Sequence, residues 1–567
     1  FYTENGKNFV KSDQRNGKII EIPNGHTMNA VPGHKVVVLP FKDNTYLGEV
    51  IAIIGHKNDI GVDILSYAYQ YGFDPKYSDE EMKEVNSLPS EVLVKDLSGR
   101  IDLRRELIFT IDGDDTKDID DAVSLKKLDN GLYELGVHIA DVSYYVKQDG
   151  EIDKDAFKRG TSVYLVDRVI PMLPHKLSNG ICSLNPNTNR LALSCVMKIN
   201  NKGEVVDYRI FESVICSKKQ MTYNNVNKIL EENTIPEGYE DFADNLKLMK
   251  ELSDILRSKM VRRGYLEFDS PEAKILVNEK CEPIDIVLRS QRTGEKLIEN
   301  FMIVANETVA GFVEDMDLPG IYRVHDKPNP EKLKTFIRFL SLKGYSFNMD
   351  VNKIKNYSYQ KMLDMFKDKE EGSILSSLAI QTMAKAKYSN VNIGHFGLGS
   401  KRYSHFTSPI RRYPDLTLHR LVKDYLKKYS TKTISKWEKL LPVIADHSSI
   451  KEQDSINCER DVEKMKKAQY MEGHIGEVFK GVVSGVCEFG IFVQLENTVE
   501  GLVKVEDIKG DYYVYDKELG IMVGKNSKNR YMFGDVVTVE VINASRETSM
   551  VDFKIVKDVD YGEKKKK

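Results

Sequence analysis

The alternation of apolar and polar positions divides the chain into three regions. GHKVVVLPF (33–41) and YLGEVIAIIG (46–55) are short β-branched runs bounded by Gly, Pro and Asn, the pattern of strands joined by tight turns. Residues 1–82 therefore read as a small β-rich module. DPKYSDEEMKEVNSLPS (74–90) is polar and acidic with a proline near each end, which suits a linker that is helical in part. Between 83 and 470 strand and helix signals mix. LYELGVHIADVSYYV (132–146) has strand character, whereas EKLIENFMIVANETVAGFVEDM (295–316) sets Leu297, Phe301, Val304, Val309 and Phe312 at helical spacing. SSIKEQDSINCERDVEKMKKAQYM (448–471) predicts a charged helix leading out of this body. From 475 to 557 the β pattern returns, with short strands separated by Gly turns that fit a five-stranded OB-type barrel. A lysine-rich tail, 558–567, closes the chain and suits weak, salt-screened attraction to phosphate. The expectation is an α+β multidomain protein: a central mixed α/β domain over 83–470, flanked by β-barrel modules at 1–82 and 471–557.

Length and composition narrow this without changing it. At 567 residues the chain exceeds what one core supports. No apolar run approaches the ~18–20 residues of a membrane span, and the first thirty residues have no signal-peptide pattern. Residue 1 is Phe rather than Met, as in a trimmed fragment. The six cysteines are scattered without CxxC spacing, which predicts reduced thiols in a cytoplasmic protein and no zinc site.

Charge adds chemistry. The net charge of −3, from 83 basic and 86 acidic residues, argues against a simple basic nucleic-acid coat protein. Locally the balance is different. Asp112, Asp114, Asp115, Asp118, Asp120 and Asp121 face only Lys117 within ten residues, a net of −5. So many carboxylates repel one another unless they keep protons or share cations. An all-oxygen donor set suits Mg²⁺, with Mn²⁺ as the alternative. An EF-hand calcium loop is excluded, because Lys117 stands where its Gly belongs. Asp112 ends the apolar run LIFTI, and Asp120 and Asp121 open AVSL, so the acids sit on a turn between two strands. Far away in sequence, 401–423 carries Lys401, Arg402, Arg411, Arg412, Arg420 and Lys423 against Asp415, a net of +5. An acidic metal cluster brought to a basic segment is what cleavage of a phosphodiester requires.

At this point a family resemblance becomes specific. TIDGDDTKDIDDAV (110–123) is similar to the signature of the ribonuclease II/ribonuclease R family of 3′-to-5′ exoribonucleases. The likeness continues through RGTSVYLVDRVIPMLPHKLSNGICSLNP (159–186), RGYLEFDSPEAKI (263–275), YRVHDKPNP (322–330) and HFGLGSKRYSHFTSPIRRYPDLTLHRL (395–421). The ribonuclease R branch fits better, through YRVHDKP and SPIRRYPDLTLHR. The N-terminal module resembles a cold-shock-like domain, and the C-terminal barrel an S1-type RNA-binding domain. The branch usually carries a further cold-shock-like domain and often a helical segment upstream, without counterparts among these residues. It commonly has Glu at the position of Asp114, and two Glu where Glu299 and Asn300 stand here.

The resemblance implies roles for single residues. Asp112, Asp118, Asp120 and Asp121 map onto the family's metal-binding catalytic aspartates, with Asp120 closest to the reacting phosphate. Arg411 is the electrophilic partner; Ser408-Pro409 reads as a turn or helix start and Pro414-Asp415 as another, which would put Arg411 and Arg412 near a helix N-terminus, a favourable place for phosphate. Tyr164 resembles the aromatic that stacks on the 3′-terminal base. His325, His405, Phe406, Arg412 and Tyr413 are expected along the RNA path, and Glu459 is either near the nucleotide channel or in a helix-surface salt bridge. In the C-terminal barrel Phe479, Phe489 and Phe492 stand where single-strand-binding aromatics lie, with Lys504 as a phosphate contact. Alternation in FGIFV sends Phe489 and Phe492 to opposite faces, so a shared face needs a bulge or strong twist, which Gly490 permits. The activity implied is Mg²⁺-dependent, processive 3′-to-5′ hydrolysis of single-stranded RNA, and of RNA with a 3′ overhang, to 5′-monophosphates. A monomer without an obligate protein partner is expected. The rival readings are a non-catalytic RNA-binding member of the family and a DNA-directed or general phosphodiesterase.

Overall fold

A computed structural model describes the chain except residues 14–16, 268–271, 348–349, 367–368, 370–371, 428, 518 and 558–567, so the lysine-rich tail lies outside the described residues. At the N-terminus, Tyr2–Glu4, Lys7–Lys11 and Ile19–Ile22 form an antiparallel sheet beside the hairpin His34–Pro40/Gly48–His56. A parallel bridge between Glu21 and Leu47 joins the two. The linker is helical over Asp79–Ser87, where the Ser78 side chain caps the helix by accepting the Glu81 N–H.

The central domain is built on a five-stranded sheet with the spatial order Ile101–Asp102, Val205–Cys216, Asn189–Ile199, Tyr133–Ala140, Asp121–Lys127. Neighbours are antiparallel except the short first strand. Tyr133–Ala140 is buried on both faces along most of its length, which is why its sequence is a continuous apolar run. The strand stops earlier than the pattern predicts. The buried Asp141 carboxylate binds Arg100 at 2.6 Å and also Lys423, and the chain turns there into the short helix Val142–Tyr145. The helices Ala243–Arg263 and Thr293–Asp315 pack against this sheet, and Leu297, Phe301, Val304 and Val309 are buried as their spacing predicts. A 42-residue helix, Thr431–Glu472, runs from this domain to the C-terminal barrel and also touches the N-terminal module.

The barrel is closed, with the order Val478–Cys487, Gly490–Leu495, Glu500–Lys504, Met550–Lys557, Val536–Ser545. Gly490 is obligatory there. It has φ of +154°, and a Cβ would lie 2.1 Å from the Val503 carbonyl oxygen. Phe489 lies in the turn before the strand rather than within it, and the bulge falls on the partner strand between Val483 and Gly485. The side chains of Phe489 and Phe492 meet edge to face at 6.1 Å. All six cysteines are free thiols. Among the described residues no helix is long and apolar enough to cross a membrane.

Candidate active site

The acidic segment is a loop held between two strands. Thr110–Asp112 pairs with Gln220–Thr222, the loop spans the next residues, and Asp121 opens the strand Asp121–Lys127. Its backbone is fixed at several points. Ser183 Oγ donates to the Lys117 carbonyl at 2.7 Å and accepts the Ile119 N–H at 3.1 Å, while Gln220 donates to the Thr116 carbonyl at 3.1 Å. The Ala140 N–H reaches the Asp120 carbonyl at 2.9 Å. Asp114 points away and binds Asn224 at 2.6 Å.

Burial decides the state of the acids. Desolvation, then the nearby Asp121 charge, push the Asp112 carboxyl up to about 8. Asp120, 3% exposed, is pushed well above the usual carboxylate range by burial, against the opposing pull of Arg411. Asp121 rises to about 6 from burial, offset by Arg411 and then Arg412. Without a cation, therefore, Asp112 keeps its proton through neutral pH, and burial pulls Asp120 the same way. Asp112 Oδ2 and Asp120 Oδ2 are buried with no hydrogen-bond partner. As they stand, no three His, Cys, Asp or Glu side chains among the described residues are arranged to hold an ion. In donor chemistry the set still fits a hard divalent cation: all oxygen, two orphaned buried oxygens, and charges that a cation would relieve.

The basic segment meets this loop across nearly three hundred residues. The Ile410 N–H donates to Asp120 Oδ1 at 2.8 Å, and Arg411 Nε lies 3.5 Å from Asp120 Oδ2. The Arg411 side chain is 45% exposed. Its carbonyl accepts the Ser162 N–H at 2.9 Å and Thr161 Oγ1 at 3.1 Å, which ties it to the strand Val163–Tyr164. Tyr164 closes the group. Its hydroxyl donates to Asp118 Oδ2 at 3.0 Å, its N–H donates to Glu459 Oε1 at 3.2 Å, and it is 40% exposed. Glu459 also accepts Ser455 Oγ at 3.0 Å. It thus fixes the Tyr164 backbone, a role neither alternative for it foresaw.

Several expected RNA contacts lie elsewhere. Arg412 does precede the helix Tyr413–Leu426, with Pro414 in its first turn, but its guanidinium forms a fork on Asp415 at 2.8 and 2.9 Å. Asp415 is buried and also accepts the Ser408 N–H at 2.8 Å. Arg412 is therefore committed to holding the turn. Phe406 is fully buried and stacks on His419 at 4.6 Å. Tyr413 is buried with its hydroxyl on Asp153 at 3.0 Å. Both belong to the core, because aromatic residues in a sequence look the same whether they face RNA or a packed interior. His405 is half-buried and shares a hydrogen bond with Tyr388 at 2.8 Å. His325 faces a large cavity, but both ring nitrogens meet backbone, at Ala384 and Gly397. In the barrel Phe489 is 58% exposed, whereas Phe479, Phe492 and Lys504 are half-buried.

A carboxylate loop set against one guanidinium, in a central domain between two β modules, marks a nuclease. An RNB domain matches residues 100–428, a cold shock domain 9–78 and an S1 RNA binding domain 473–555. Ribonuclease R 1 of Lactococcus lactis is 44% identical over 559 residues, covering 96% of this chain and 68% of that protein. The structure resembles Mycoplasma genitalium RNase R in complex with ribose-methylated single-stranded RNA, with a TM-score of 0.90 at 28% identity, covering 97% of this chain and 89% of the other. It also resembles that enzyme in complex with double-stranded RNA, at a TM-score of 0.84 and 27% identity, covering 97% and 95%. The chain belongs to the ribonuclease R family and is a 3′-to-5′ exoribonuclease. Family membership implies a divalent metal ion.

Proposed function

We propose that this exoribonuclease degrades RNA processively to nucleoside 5′-monophosphates with Mg²⁺ held by Asp112, Asp118, Asp120 and Asp121. The observation that carries this reading is Asp120: one oxygen is fixed by the Ile410 N–H, and the other is orphaned 3.5 Å from Arg411. A bound divalent ion would supply Lewis-acid polarisation of a phosphoryl oxygen and a bound water more acidic than bulk water. The chain's own groups do the rest. Asp120 is oriented before substrate arrives, so no reorganisation is needed at the moment of reaction. Arg411 stays charged in any environment and offers its fork of donors to phosphate oxygens as charge develops on them. Tyr164 offers an exposed ring to the terminal base, a contact that tolerates any nucleotide.

In this reading the units fall at 1–82, 83–470 and 471–557, and the two barrels hold the single strand while its 3′ end is cleaved, with Phe489 the foremost stacking surface of the second. The double-stranded RNA complex of the Mycoplasma enzyme supports action on structured RNA with a 3′ overhang. The protein acts as a cytoplasmic monomer. The test is a time course on 5′-labelled RNA and on DNA of the same sequence, with Asp120→Asn as control. Conversion of the RNA alone to one very short labelled product, without a ladder of intermediates and only with Mg²⁺, is the expected result. A ladder that shortens step by step refutes processivity, and full turnover by Asp120→Asn refutes the site.

A further inference from the structure

Four lysines outside the cleft converge on one basin. Lys95, Lys147, Lys427 and Lys436, all exposed, line a cavity of about 470 Å³. It lies at the far end of the helix Tyr413–Leu426, whose start follows Arg411 and Arg412. At ~1.5 Å per residue that helix sets the basin about 20 Å from Arg411.

The floor of the basin is electrically closed. Arg100 meets Asp141 at 2.6 Å, Lys423 meets Asp141 and, at 3.0 Å, Glu212, and Arg420 meets Asp153 at 2.7 Å. The rim is different. None of the four lysines forms an ion pair among the described residues. Lys436 donates to the Gln148 amide oxygen at 2.6 Å and lies over the Trp437 ring, and Lys147 lies 4.6 Å from the centre of the Tyr144 ring. Two carboxylates share the rim, and both are occupied. Asp96 accepts the Leu93 N–H and the Tyr144 hydroxyl, and Asp424 accepts the Trp437 indole N–H. The rim keeps an excess of two positive charges. Desolvation and then Lys423 hold the Lys147 ammonium below its ordinary range.

Ammonium groups on flexible stems act as point charges and read neither a base edge nor a planar fork. Four of them, contributed by separate segments around one hollow, suit a row of phosphates rather than a single carboxylate. We propose that this basin binds the phosphate backbone of the RNA substrate outside the catalytic cleft, docking a stretch of the strand that is not being cleaved. The proposal rests on RNA being the substrate.

The experiment compares the unsubstituted protein with Lys95→Glu/Lys147→Glu/Lys427→Glu/Lys436→Glu and with the same four changed to Gln. Binding of ribose-methylated RNA is measured at several salt concentrations, once with an oligonucleotide only long enough to fill the cleft and once with a long strand. For the Glu variant the long strand should bind at least about tenfold more weakly, and its slope of log Kd against log salt should fall by about 3, at ~0.7 for each phosphate no longer neutralised. The Gln variant should show the same loss of slope with a smaller loss of affinity. Short-strand affinity, turnover on short RNA and the melting temperature should not change. An unchanged slope on the long strand overturns the proposal, and so does an equal loss on the short one. If the unsubstituted protein shortens no RNA, the proposed function fails, while the binding comparison still reads the basin.

Discussion

Tyr164 and Asp118 are joined by a hydrogen bond, the phenol donating to the carboxylate at 3.0 Å, while the tyrosine stays 40% exposed. One residue thus presents an exposed ring to the cleft, proposed to stack on the terminal base, and a hydroxyl to one of the acids. Tyr164→Ala is expected to weaken binding of short RNA by roughly 1–3 kcal/mol, the loss of one stacked base. Tyr164→Phe keeps the ring and should bind RNA as the native protein does. It frees an Asp118 lone pair, so half-saturation with Mg²⁺ should fall to a lower concentration. Titrating activity with Mg²⁺ at saturating RNA, beside a binding curve with ribose-methylated RNA, separates the two effects. Equal loss of binding in both variants would mean that the hydroxyl, not the ring, carries the contact.

Arg411 is proposed to act on charge that appears only during reaction. Its carbonyl is tied to Thr161 and Ser162, its Nε lies beside Asp120, and its side chain is 45% exposed. Arg411→Ala is expected to reduce turnover by roughly 10²–10³-fold, as for removal of a donor aimed at developing charge. RNA affinity should hardly move, because many other phosphate contacts remain. Arg411→Lys should recover little, since an ammonium lacks the planar fork. Single-turnover rates with separately measured binding constants check this, and a proportional fall in affinity would refute it.

The same geometry makes activity and stability pull apart at Asp120. Its buried Oδ2 has no hydrogen-bond partner, and burial raises the pKa of the group. Asp120→Asn should abolish turnover yet leave the stability of the metal-free protein essentially unchanged, because the amide keeps the Ile410 bond and replaces one buried, unpaired polar atom with another. Mg²⁺ at a hundred times its dissociation constant should stabilise the native protein by about 2.7 kcal/mol, and chelation should remove that gain. The variant should gain less. Melting curves with Mg²⁺ and with chelator measure all three quantities.

These contacts also show where sequence reading works and where it stops. Asp112 at the end of one strand and Asp121 at the start of the next followed from apolar runs on either side, and the helix after Arg412 followed from Pro414. Local pattern carries such information because strand ends and helix starts are set by neighbouring residues. Arg412, expected along the RNA path, has a partner three residues on, Asp415, which takes the fork that phosphate would. Phe406 and Tyr413, expected along the RNA path, are buried instead, because an aromatic residue carries no mark of whether protein or RNA covers it. The Glu459–Tyr164 contact joins positions 295 residues apart, and no periodicity reports such a pairing. The strand ending at Ala140 ran on in sequence because the helix Val142–Tyr145 is apolar too, and only the buried pairing of Asp141 with Arg100 and Lys423 shows the turn.

The linker helix Asp79–Ser87 carries a stranded acid of its own. Glu84 on that helix accepts the N–H groups of Glu151 at 2.6 Å and Ile152 at 3.2 Å, capping the helix Glu151–Arg159 that leads to Thr161 and Tyr164. Beside it Glu81 is 1% exposed, and both of its carboxyl oxygens lack a hydrogen-bond partner. Burial, then the Asp155 charge, push it up to about 8, against the opposing effect of Arg159. In the unfolded chain Glu81 titrates near the ordinary ~4.3 of a glutamate. Its folded pKa is raised, so the folded state binds the proton more tightly, and the stability this gives is full below the unfolded pKa and is lost as pH rises through about 8. Glu81→Gln keeps the shape of the protonated acid. It should leave the melting temperature unchanged near the unfolded pKa and raise stability by roughly 1–3 kcal/mol above the folded one, where the native side chain must either hold its proton or bury a charge. Melting curves across that range, with chelator present to silence the aspartate site, test the sign. A variant less stable than the native protein at high pH would show that Glu81 is held by a donor and not stranded.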